Sequence, residues 1–403
     1  MIRRVVVVGG GAAGWMAAIH AARRAGADVT VQLIERTRDG GRKILVSGGG
    51  RCNVLPSESA PERFVTSSSP NTLRKILLSW PLAEQRAFFE EDLGLPLKLE
   101  EESKKLFPVS DDARSVRDAL VEAARRAGVE ITMRALVTGL EKEGDGWTLR
   151  FDSGDPLPAD AVILATGGLS VPKTGSDGVG LAIARLLGHR IVDPYPALTP
   201  LLTDEEGHHE LRGISRTVTM MAGSGKRRSV ARGGFLFTHD GYSGPAVLDL
   251  SHHAVLDRLV PLRVCWADVD ESEWTRRFRG GGAKSVLASL REELPDRLAR
   301  RLLIESGVDV ATACAELPRA RRLELVERLV RFPLRVTGNA GYRKAEVTGG
   351  GVHLGEVDPS TLESRHHRGL YFCGEILDAF GPIGGHNFAW AWATGKKAGE
   401  SAV

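Results

Sequence analysis

The chain has 403 residues, a formal net charge of +3, 42% hydrophobic residues and 26% charged residues. These fractions are near the globular average, so they exclude a wholly disordered chain and a collagen-like or coiled-coil repeat. The length favours two or three domains, and the small net charge gives no electrostatic signature of a nucleic-acid partner. The 47 glycines are the exception to this average composition. Clustered glycine is typical of main chain that approaches another group closely or takes positive φ.

The four cysteines have neither CxxC nor zinc-finger spacing, so we predict no redox disulfide pair and no metal site. Reduced cysteines favour a cytoplasmic location. Arg3-Arg4 precedes an apolar run that Gly9 interrupts, which favours a strand and a turn over a leader segment. We expect no membrane span, because no uninterrupted apolar run reaches about 18 residues.

The first elements predict one βαβ unit. Val5–Val8 is a continuous β-branched run, typical of a buried parallel strand, and Gly9–Gly14 forms the turn after it. Trp15–Ala25 has helical spacing, and Val29–Ile34 predicts a second strand that ends at Glu35.

The turn carries the motif Gly9-x-Gly11-x-x-Gly14, and Glu35 follows Gly14 by 21 residues. Gly9 permits the tight turn, Gly11 leaves space for a pyrophosphate, and Gly14 allows the helix to pack closely on the strand. Glu35 is placed to accept hydrogen bonds from a ribose diol. The pattern therefore predicts a dinucleotide site, with FAD or NAD favoured over NADP.

The chain then alternates loops, helices and strands up to about residue 190. The expected elements are a Gly-rich loop at Asp39–Asn53, helical segments at Leu73–Leu93, Asp111–Ala127 and Gly178–Leu187, and strands at Ile131–Met133, Val137–Leu140, Trp147–Phe151 and Ala161–Ala165.

The sequence pattern changes near Pro194. Leu198–Asp268 is strand-like and turn-rich, Leu287–Phe332 is mostly helical, and a Gly-rich pattern then returns and ends in a helix at Phe388–Glu400. We therefore predict four segments: residues 1–193 and 336–403 form one α/β domain from both ends of the chain, 194–278 is a β-rich insert on the substrate side, and 279–335 is a helical insert.

Other segments favour FAD over NAD. Lys43 and Arg51 border a second Gly-rich loop and can offset pyrophosphate charge. The strand before Thr166 runs into a small-residue turn, a form that flavoproteins use where the returning chain crosses the cofactor. Glu375 follows a strand and a glycine, where it can bond a ribitol hydroxyl, and Gly385 begins a helix whose N-terminus would favour an anionic reduced flavin.

NAD(P)H is a possible co-substrate, but we expect no Rossmann domain dedicated to it, because no second strand–GxGxxG–helix unit is present in the sequence. The adjacent pairs His208-His209, His252-His253 and His366-His367 are poor chelates, since neighbouring strand residues point to opposite faces. The arginines of 319–331 are expected to be solvated.

Together these segments resemble the BaiN-like (YhiN-like) bacterial flavoproteins, described as NAD(P)/FAD-dependent or aminoacetone-oxidase-like oxidoreductases. The resemblance spans nearly the whole chain and is most specific at Phe237–Pro245 and Gly385–Trp392, although His386 stands where that family often has Tyr. It implies an α/β fold with a two-piece Rossmann-type FAD-binding domain, an inserted β-barrel-like domain and a small helical domain.

The motifs and the resemblance together predict a set of cofactor contacts. They are Gly9, Gly11, Ala13, Gly14, Glu35, Arg36, Lys43, Ser47, Gly48, Arg51, Cys52, Asn53, Val137, Ala165, Thr166, Gly167, Gly374, Glu375, Gly384, Gly385, Asn387 and Phe388.

We therefore expect an FAD-dependent oxidoreductase that transfers electrons or hydride to or from a small organic substrate, with NAD(P)H or oxygen as co-substrate. The alternatives are an FAD-dependent RNA-modifying or hydroxylating enzyme and a non-enzymatic flavin redox sensor. No catalytic residue is identified by a motif. Arg51, which can orient an anionic or carbonyl substrate, and His386, which can move a proton near neutral pH, are the candidates.

Overall fold

The computed structural model describes residues 2–204, 206–223, 228–280 and 282–403. The chain forms two compact units. Unit 1 comprises the residues up to Pro196 together with Glu346–Val403, and unit 2 comprises Ala197–Ala345. Each unit encloses its own apolar core.

The residues before unit 2 hold these strands: β1 Arg3–Val8, β2 Val29–Glu35, β3 Leu55–Pro56, β4 Leu97–Glu100, β5 Lys105–Pro108, β6 Glu130–Met133, β7 Val137–Glu143, β8 Gly146–Phe151, β9 Leu157–Ala159, β10 Ala161–Leu164 and β11 Ile191–Ala197. The helices of this part are α1 Ala12–Arg24, α2 Arg42–Val46, α3 Pro70–Leu77, α4 Leu82–Ala87, α5 Ala113–Arg126 and α6 Val179–Leu186.

Unit 2 holds β12 Leu201–Leu202, β13 Ser215–Ala222, β14 Ser229–Phe237, β15 Gly241–Ser243, β16 Leu262–Cys265, β17 Phe332–Leu334 and β18 Gly338–Asn339. Its helices are α7 Glu206–His209, α8 Pro245–Leu256, α9 Glu271–Gly280, α10 Val286–Leu290, α11 Asp296–Glu305 and α12 Arg319–Val330. Unit 1 then ends with β19 Val347–Val352, β20 Leu370–Phe372 and α13 His386–Ser401.

A parallel sheet with the order β20-β10-β1-β2-β6 organises unit 1. Val5, Val6 and Val7 in β1 are fully buried, as is typical of a parallel strand covered on both faces. The order reverses beside β1, because β2 lies on one side of it and β10 on the other. In such sheets, ligands bind beyond the carboxyl ends of the strands at this reversal.

Smaller sheets, β3-β5-β4, β7-β8-β9 and β11-β19, surround the parallel sheet. The structure corrects the sequence expectations at two places in this part of the chain. Arg42–Val46, predicted as part of a loop, is the helix α2, and the strands β4 and β5 arise from residues for which we predicted no strand. These strands are short and pair only with one another and with β3, so no long period-2 pattern marks them.

The last helix, α13, lies against the first, α1, at two glycines. A Cβ at Gly395 would collide with the carbonyl oxygen of Ala13, and a Cβ at Gly399 would collide with that of Ala17. The main chains of the two helices therefore approach as closely as glycine permits. This contact joins the two ends of the chain in one domain.

Unit 2 is built on a sheet with the order β17-β16-β13-β14-β15-β12-β18. Its core is rich in aromatic rings, with Phe237 stacked on Trp266 at 5.7 Å between ring centroids. Leu298, Leu325 and other buried side chains of the helices belong to the same core. The region predicted as β-rich also contains the twelve-residue helix α8, which begins at Pro245, a residue favoured at the first helical position.

Among the described residues, none of the helices is both long enough and apolar enough to cross a lipid bilayer.

We expect Gly399→Ala to lower the free energy of unfolding by about 1–3 kcal/mol, because the added methyl group forces the main chains of α1 and α13 apart. Urea denaturation monitored by far-UV circular dichroism measures this change. Gly26→Ala is the matched control, since a Cβ at the exposed Gly26 would meet no heavy atom within 4 Å. Equal destabilisation by both substitutions would contradict the proposed close helix contact.

Candidate functional site

The predicted motif residues converge at the carboxyl edge of the parallel sheet. Gly9 follows β1, Glu35 ends β2, Ala165 follows β10, and Cys373 follows β20. Four segments that are distant in sequence therefore meet at one place. It is the place where a doubly wound sheet binds its ligand.

The three glycines of the first motif differ in their surroundings. Gly9 has φ +105°, and a Cβ there would lie 2.6 Å from the Ala165 carbonyl oxygen. A Cβ at Gly14 would collide with the carbonyl oxygen of Gly9. Gly11 instead faces open space, with no heavy atom within 4 Å of where its Cβ would lie, and no side chain caps the start of α1. The turn is thus closely packed against neighbouring main chain at Gly9 and Gly14. It is open at Gly11, where an anion would meet the free N–H groups.

Glu35 lies buried beside this turn, with 7% of its surface exposed. One carboxylate oxygen accepts a hydrogen bond of 2.6 Å from the backbone N–H of Gly10, and the other accepts one of 2.6 Å from that of Thr37. Each oxygen retains a second lone pair. The carboxylate therefore fixes the turn and can also accept ribose hydroxyl groups.

The second Gly-rich segment turns sharply. Gly48, Gly49 and Gly50 all have positive φ, and Gly49 and Gly50 face open space. Arg51 does not project freely into this space, because its guanidinium group lies 4.1 Å above the ring of Phe107 and pairs with Glu100 at 3.0 Å. Arg51 thus braces the loop, and its side chain remains partly exposed.

A polar network connects α2 to the segment after β20. The Nζ of Lys43 donates hydrogen bonds to the Glu375 carboxylate at 2.6 Å and to Ser170 Oγ at 2.7 Å. Ser170 Oγ and the backbone N–H of Thr348 donate to the other oxygen of Glu375. Burial opposes ionisation of Glu375, but Lys43 and these hydrogen bonds hold its pKa below the usual range. Lys43 and Glu375 are therefore a partly buried ion pair.

The turn after β10 packs against β19. Backbone N–H groups of Leu169 and Ser170 donate to Thr348 Oγ1, and Gly168 lies so close to Thr348 that a Cβ would collide with it. Thr166 Oγ1 is buried without a hydrogen-bond partner among the described residues. This hydroxyl group lies against the start of α6, where a Cβ at Gly180 would collide with it.

The start of α13 carries a further group of the predicted residues. Gly384 and Gly385 have positive φ, and no side chain caps the helix. The side-chain amide of Asn387 accepts a hydrogen bond from the N–H of Gly381 and donates one to its carbonyl oxygen, each at 2.9 Å. Phe388 stacks on Trp392 at 5.4 Å. Asn387 therefore holds the loop that precedes the helix.

The candidate proton carrier His386 is 3% exposed, and its Nδ1 lies 3.3 Å from Ser59 Oγ. Burial, assisted by the charge of Arg63, lowers its pKa to about 3. The ring is therefore neutral at pH 7, which argues against His386 as a proton donor near neutrality.

Cys52 and Cys373 are both free and fully buried. Burial raises the pKa of Cys52 to about 12 and that of Cys373 also well above the usual thiol range. Neither thiol has the thiolate character that redox or nucleophilic chemistry needs. Cys52 also takes φ +60°, a conformation that L-residues rarely adopt.

The remaining predicted residues occupy supporting positions. Arg36 forms an ion pair with Asp177, and Ser47 Oγ donates to the Ile44 carbonyl oxygen at 2.8 Å. Ala13 limits the space at Gly374, where a Cβ would lie 2.6 Å from the Ala13 Cβ. Val137 is buried at the start of β7, 2% exposed.

Sequence reasoning missed Thr348 and Ser170, which organise the network around Glu375. Thr348 lies in the Gly-rich strand β19, whose glycine run was a visible signal. The glycines there serve sheet packing, however, because a Cβ at Gly349 would collide with the Tyr195 ring and one at Gly351 would lie 2.5 Å from the Ile376 carbonyl oxygen.

Residues 3–401 match the HI0933-like protein Rossmann domain family. The chain belongs to this family. It is 35% identical to the 3-dehydro-bile acid Δ(4,6)-reductase of Clostridium scindens, over 100% of this chain and 99% of the relative. It is 31% identical to the ribosomal RNA dihydrouridine synthase of Escherichia coli, over 96% of this chain and 95% of the relative. The family binds FAD, and the chain is an FAD-dependent oxidoreductase.

Among solved structures, the fold is similar to that of the 3-ketosteroid-Δ4-(5α)-dehydrogenase of Rhodococcus jostii, with a TM-score of 0.53 and 18% identity. The match covers 99% of this chain and 97% of that one. The Rossmann-type α/β architecture expected from the sequence is confirmed.

The geometry of unit 1 fits FAD. The open faces of Gly11, Gly49 and Gly50 provide main-chain surface without side chains, and α1 and α13 present uncapped N-termini toward a ligand that carries negative charge. These features are those expected of a cradle for an extended dinucleotide.

Glu35→Ala is expected to weaken FAD binding about 10- to 100-fold, since a hydrogen bond to a charged acceptor contributes about 1.5–3 kcal/mol. Fluorescence titration of the apoprotein with FAD gives the dissociation constant. Glu35→Gln should lose less, because it keeps one acceptor oxygen. Unchanged affinity in the Ala variant, with unchanged thermal unfolding, would show that Glu35 does not contact the ribose.

His386 also predicts a pH dependence of stability. Its pKa is about 3 when folded and near 6.5 when unfolded. The unfolded state therefore binds the additional proton as the pH falls below 6.5, and stability decreases. His386→Gln should lose less stability than the wild type between pH 7 and pH 5, measured by urea denaturation at each pH. The exposed His239→Gln is the control, and equal pH slopes for His386→Gln and the wild type would contradict the buried neutral ring.

Proposed function

We propose that the protein reduces a carbon–carbon double bond conjugated with a carbonyl group. When bound and reduced, FAD supplies a hydride. The residues assigned to the cofactor on sequence grounds, from Gly9 to Phe388, are proposed to contact it. The two segments of unit 1 are proposed to form the FAD-binding domain, with unit 2 inserted between them.

The names of two relatives support this reaction class. A Δ(4,6)-reductase of a 3-dehydro-bile acid and a dihydrouridine synthase act on different molecules, a steroid and an RNA base. In both cases the double bond that is saturated is conjugated with a carbonyl group. The shared chemistry is therefore hydride addition to the carbon β to the carbonyl group and proton addition to the α carbon.

The observation that carries the proposal is the state of the two cysteines at the site. Cys52 and Cys373 are buried, unpaired thiols whose pKa values are raised by burial. Disulfide exchange requires an accessible thiolate. These cysteines are therefore unsuited to relay electrons, which favours direct transfer between flavin and substrate.

The protein's own residues would bind and orient the cofactor. The N–H groups at the start of α1 receive the pyrophosphate, Glu35 accepts the ribose hydroxyl groups, and the N-terminus of α13 favours negative charge on the flavin ring. Lys43 and Glu375 hold α2 and the end of β20 in register. Their ion pair holds these two segments in place before any ligand binds.

The first substrate class is a small enone, in line with the relative that is 35% identical over the whole chain. The Arg-rich helices of unit 2 agree with it, because many of their arginines are already paired with carboxylates and offer little spare charge for RNA phosphates. The pairs are Arg300 with Asp296, Arg321 with Glu324 and Arg331 with Glu271.

The second class is a uridine in ribosomal RNA, which the Escherichia coli relative supports. Residues 197–345 carry 24 Lys and Arg against 19 Asp and Glu, so the positive charge of the chain resides in unit 2. Lys226-Arg227-Arg228 is its longest basic run, although Lys226 and Arg227 lie outside the described residues. We propose a cytoplasmic location and NAD(P)H as the electron donor for either class.

The test is anaerobic mixing of the reduced holoenzyme with two probes. One is a 3-oxo bile acid with double bonds at positions 4 and 6, and the other is ribosomal RNA transcribed in vitro, which contains unmodified uridine. We expect flavin reoxidation, seen as recovery of its visible absorbance, and a product heavier by two hydrogen atoms in mass spectrometry. The FAD-depleted protein is the control.

Reoxidation by the steroid alone supports the small-enone class, and by the RNA alone the uridine class. Reoxidation by oxygen but by neither probe would overturn the proposed reaction class. Reduction by NADH or NADPH is measured separately as bleaching of the oxidised holoenzyme.

A further inference from the structure

Lys105 lies beside the start of α13. A methyl group at Gly384 would lie 3.2 Å from Cε of Lys105 and 3.8 Å from its Cγ. The aliphatic stem of Lys105 therefore occupies the space that a side chain at Gly384 would fill. Gly384 has φ +115° and belongs to the loop that leads into the helix.

The backbone places Lys105 there. It begins β5 and is paired in register with Pro56 of β3. A Cβ at Gly385 would lie 2.6 Å from the Leu55 carbonyl carbon, so the loop at Gly384 and Gly385 rests directly on β3. The strand pair β3–β5 supports this loop, and Lys105 reaches across it from the neighbouring strand.

Lys105 forms no ion pair of its own, although it lies opposite Glu100 in the β4–β5 strand pair and its charge helps to lower the pKa of that carboxyl. It is half-buried, and within the described parts of the chain no carboxylate lies within 4.0 Å of its Nζ. The nearby basic residues differ, because Arg51 pairs with Glu100, Lys98 with Asp111, and Lys104 with Glu101. An unpaired cation next to an uncapped helix N-terminus produces a local positive potential.

We propose that Lys105 tunes the flavin by stabilising the negative charge that the ring gains on reduction. The inference uses the FAD site of unit 1 and is independent of the substrate. Near neutral pH that charge resides at the N1 and C2 carbonyl edge of the ring. Lys105 is thus a positioned cation that makes the bound flavin easier to reduce, and it needs no contact with the substrate to do so.

The experiment compares the holoenzyme with Lys105→Met and Lys105→Arg. Sulfite is the probe, because its lone pair adds to N5 of oxidised flavin and places negative charge at the same edge of the ring, with no electron donor required. We expect Lys105→Met to raise the dissociation constant for sulfite about tenfold, as measured by bleaching of the visible absorbance. Lys105→Arg, which keeps the charge, should stay near the wild type.

The same stabilisation enters the midpoint potential of the flavin. A tenfold loss corresponds to about 30 mV for a two-electron couple, so Lys105→Met should have a potential lower by about that amount. Redox titration against a reference dye measures it. Lys105→Gln is the second variant, should the Met variant fold poorly or lose FAD.

Lys104→Met is the matched control, since it removes the same charge from the adjacent exposed position. The proposal is overturned if sulfite affinity and potential are unchanged in both Lys105→Met and Lys105→Gln. It is also overturned if Lys104→Met shifts them equally, because the effect would then be a general change in net charge. A failed turnover assay with intact sulfite and potential shifts would count against the proposed reaction and not against Lys105.

Discussion

The structure of unit 1 depends on main-chain contacts that leave no room for side chains. Helix α1 must begin against the ends of β1 and β10, where Gly14 meets the carbonyl oxygen of Gly9 and Gly9 meets that of Ala165. On its other side the same helix meets α13 through Gly395 and Gly399. The dense packing of protein interiors makes each of these contacts intolerant of an added methyl group. The carboxyl edge of the sheet can form a narrow cradle only because α1 is held on both sides.

This constraint explains why the domain needs both ends of the chain. Residues before unit 2 supply the glycine turn and Glu35, whereas residues after it supply β20 and α13, which close the cradle. The ion pair of Lys43 with Glu375 connects positions 332 residues apart. Closing so long a loop costs conformational entropy, and the extensive burial along α1 and α13 offsets it. The cradle is consequently a property of the complete unit.

The parts that the sequence predicts well are those with local causes. The βαβ unit follows from a β-branched run, a glycine turn and an acidic residue, and the converging motifs required only the rule that parallel strands end at one edge. Contacts between residues that are distant in sequence could not be predicted from such local patterns. Thr348 and Lys105 act through β19 and β5, whose partners are distant in sequence. The neutral state of His386 depends on burial by residues that no local sequence pattern reveals. The helix α8 could not be predicted because the residues around it have a strand-like composition.

The distinction between main-chain and side-chain contacts also distinguishes cofactor binding from the choice of substrate. Where glycines line the cradle, the groups available to FAD are N–H groups, helix ends and open main-chain surface, and these depend little on the identity of neighbouring side chains. Relatives can therefore keep the cofactor while they diverge in what they reduce, as the names of the bile acid reductase and the RNA dihydrouridine synthase illustrate. Side chains such as Lys105, which add charge without closing the cradle, can adjust the driving force of the flavin independently of substrate choice.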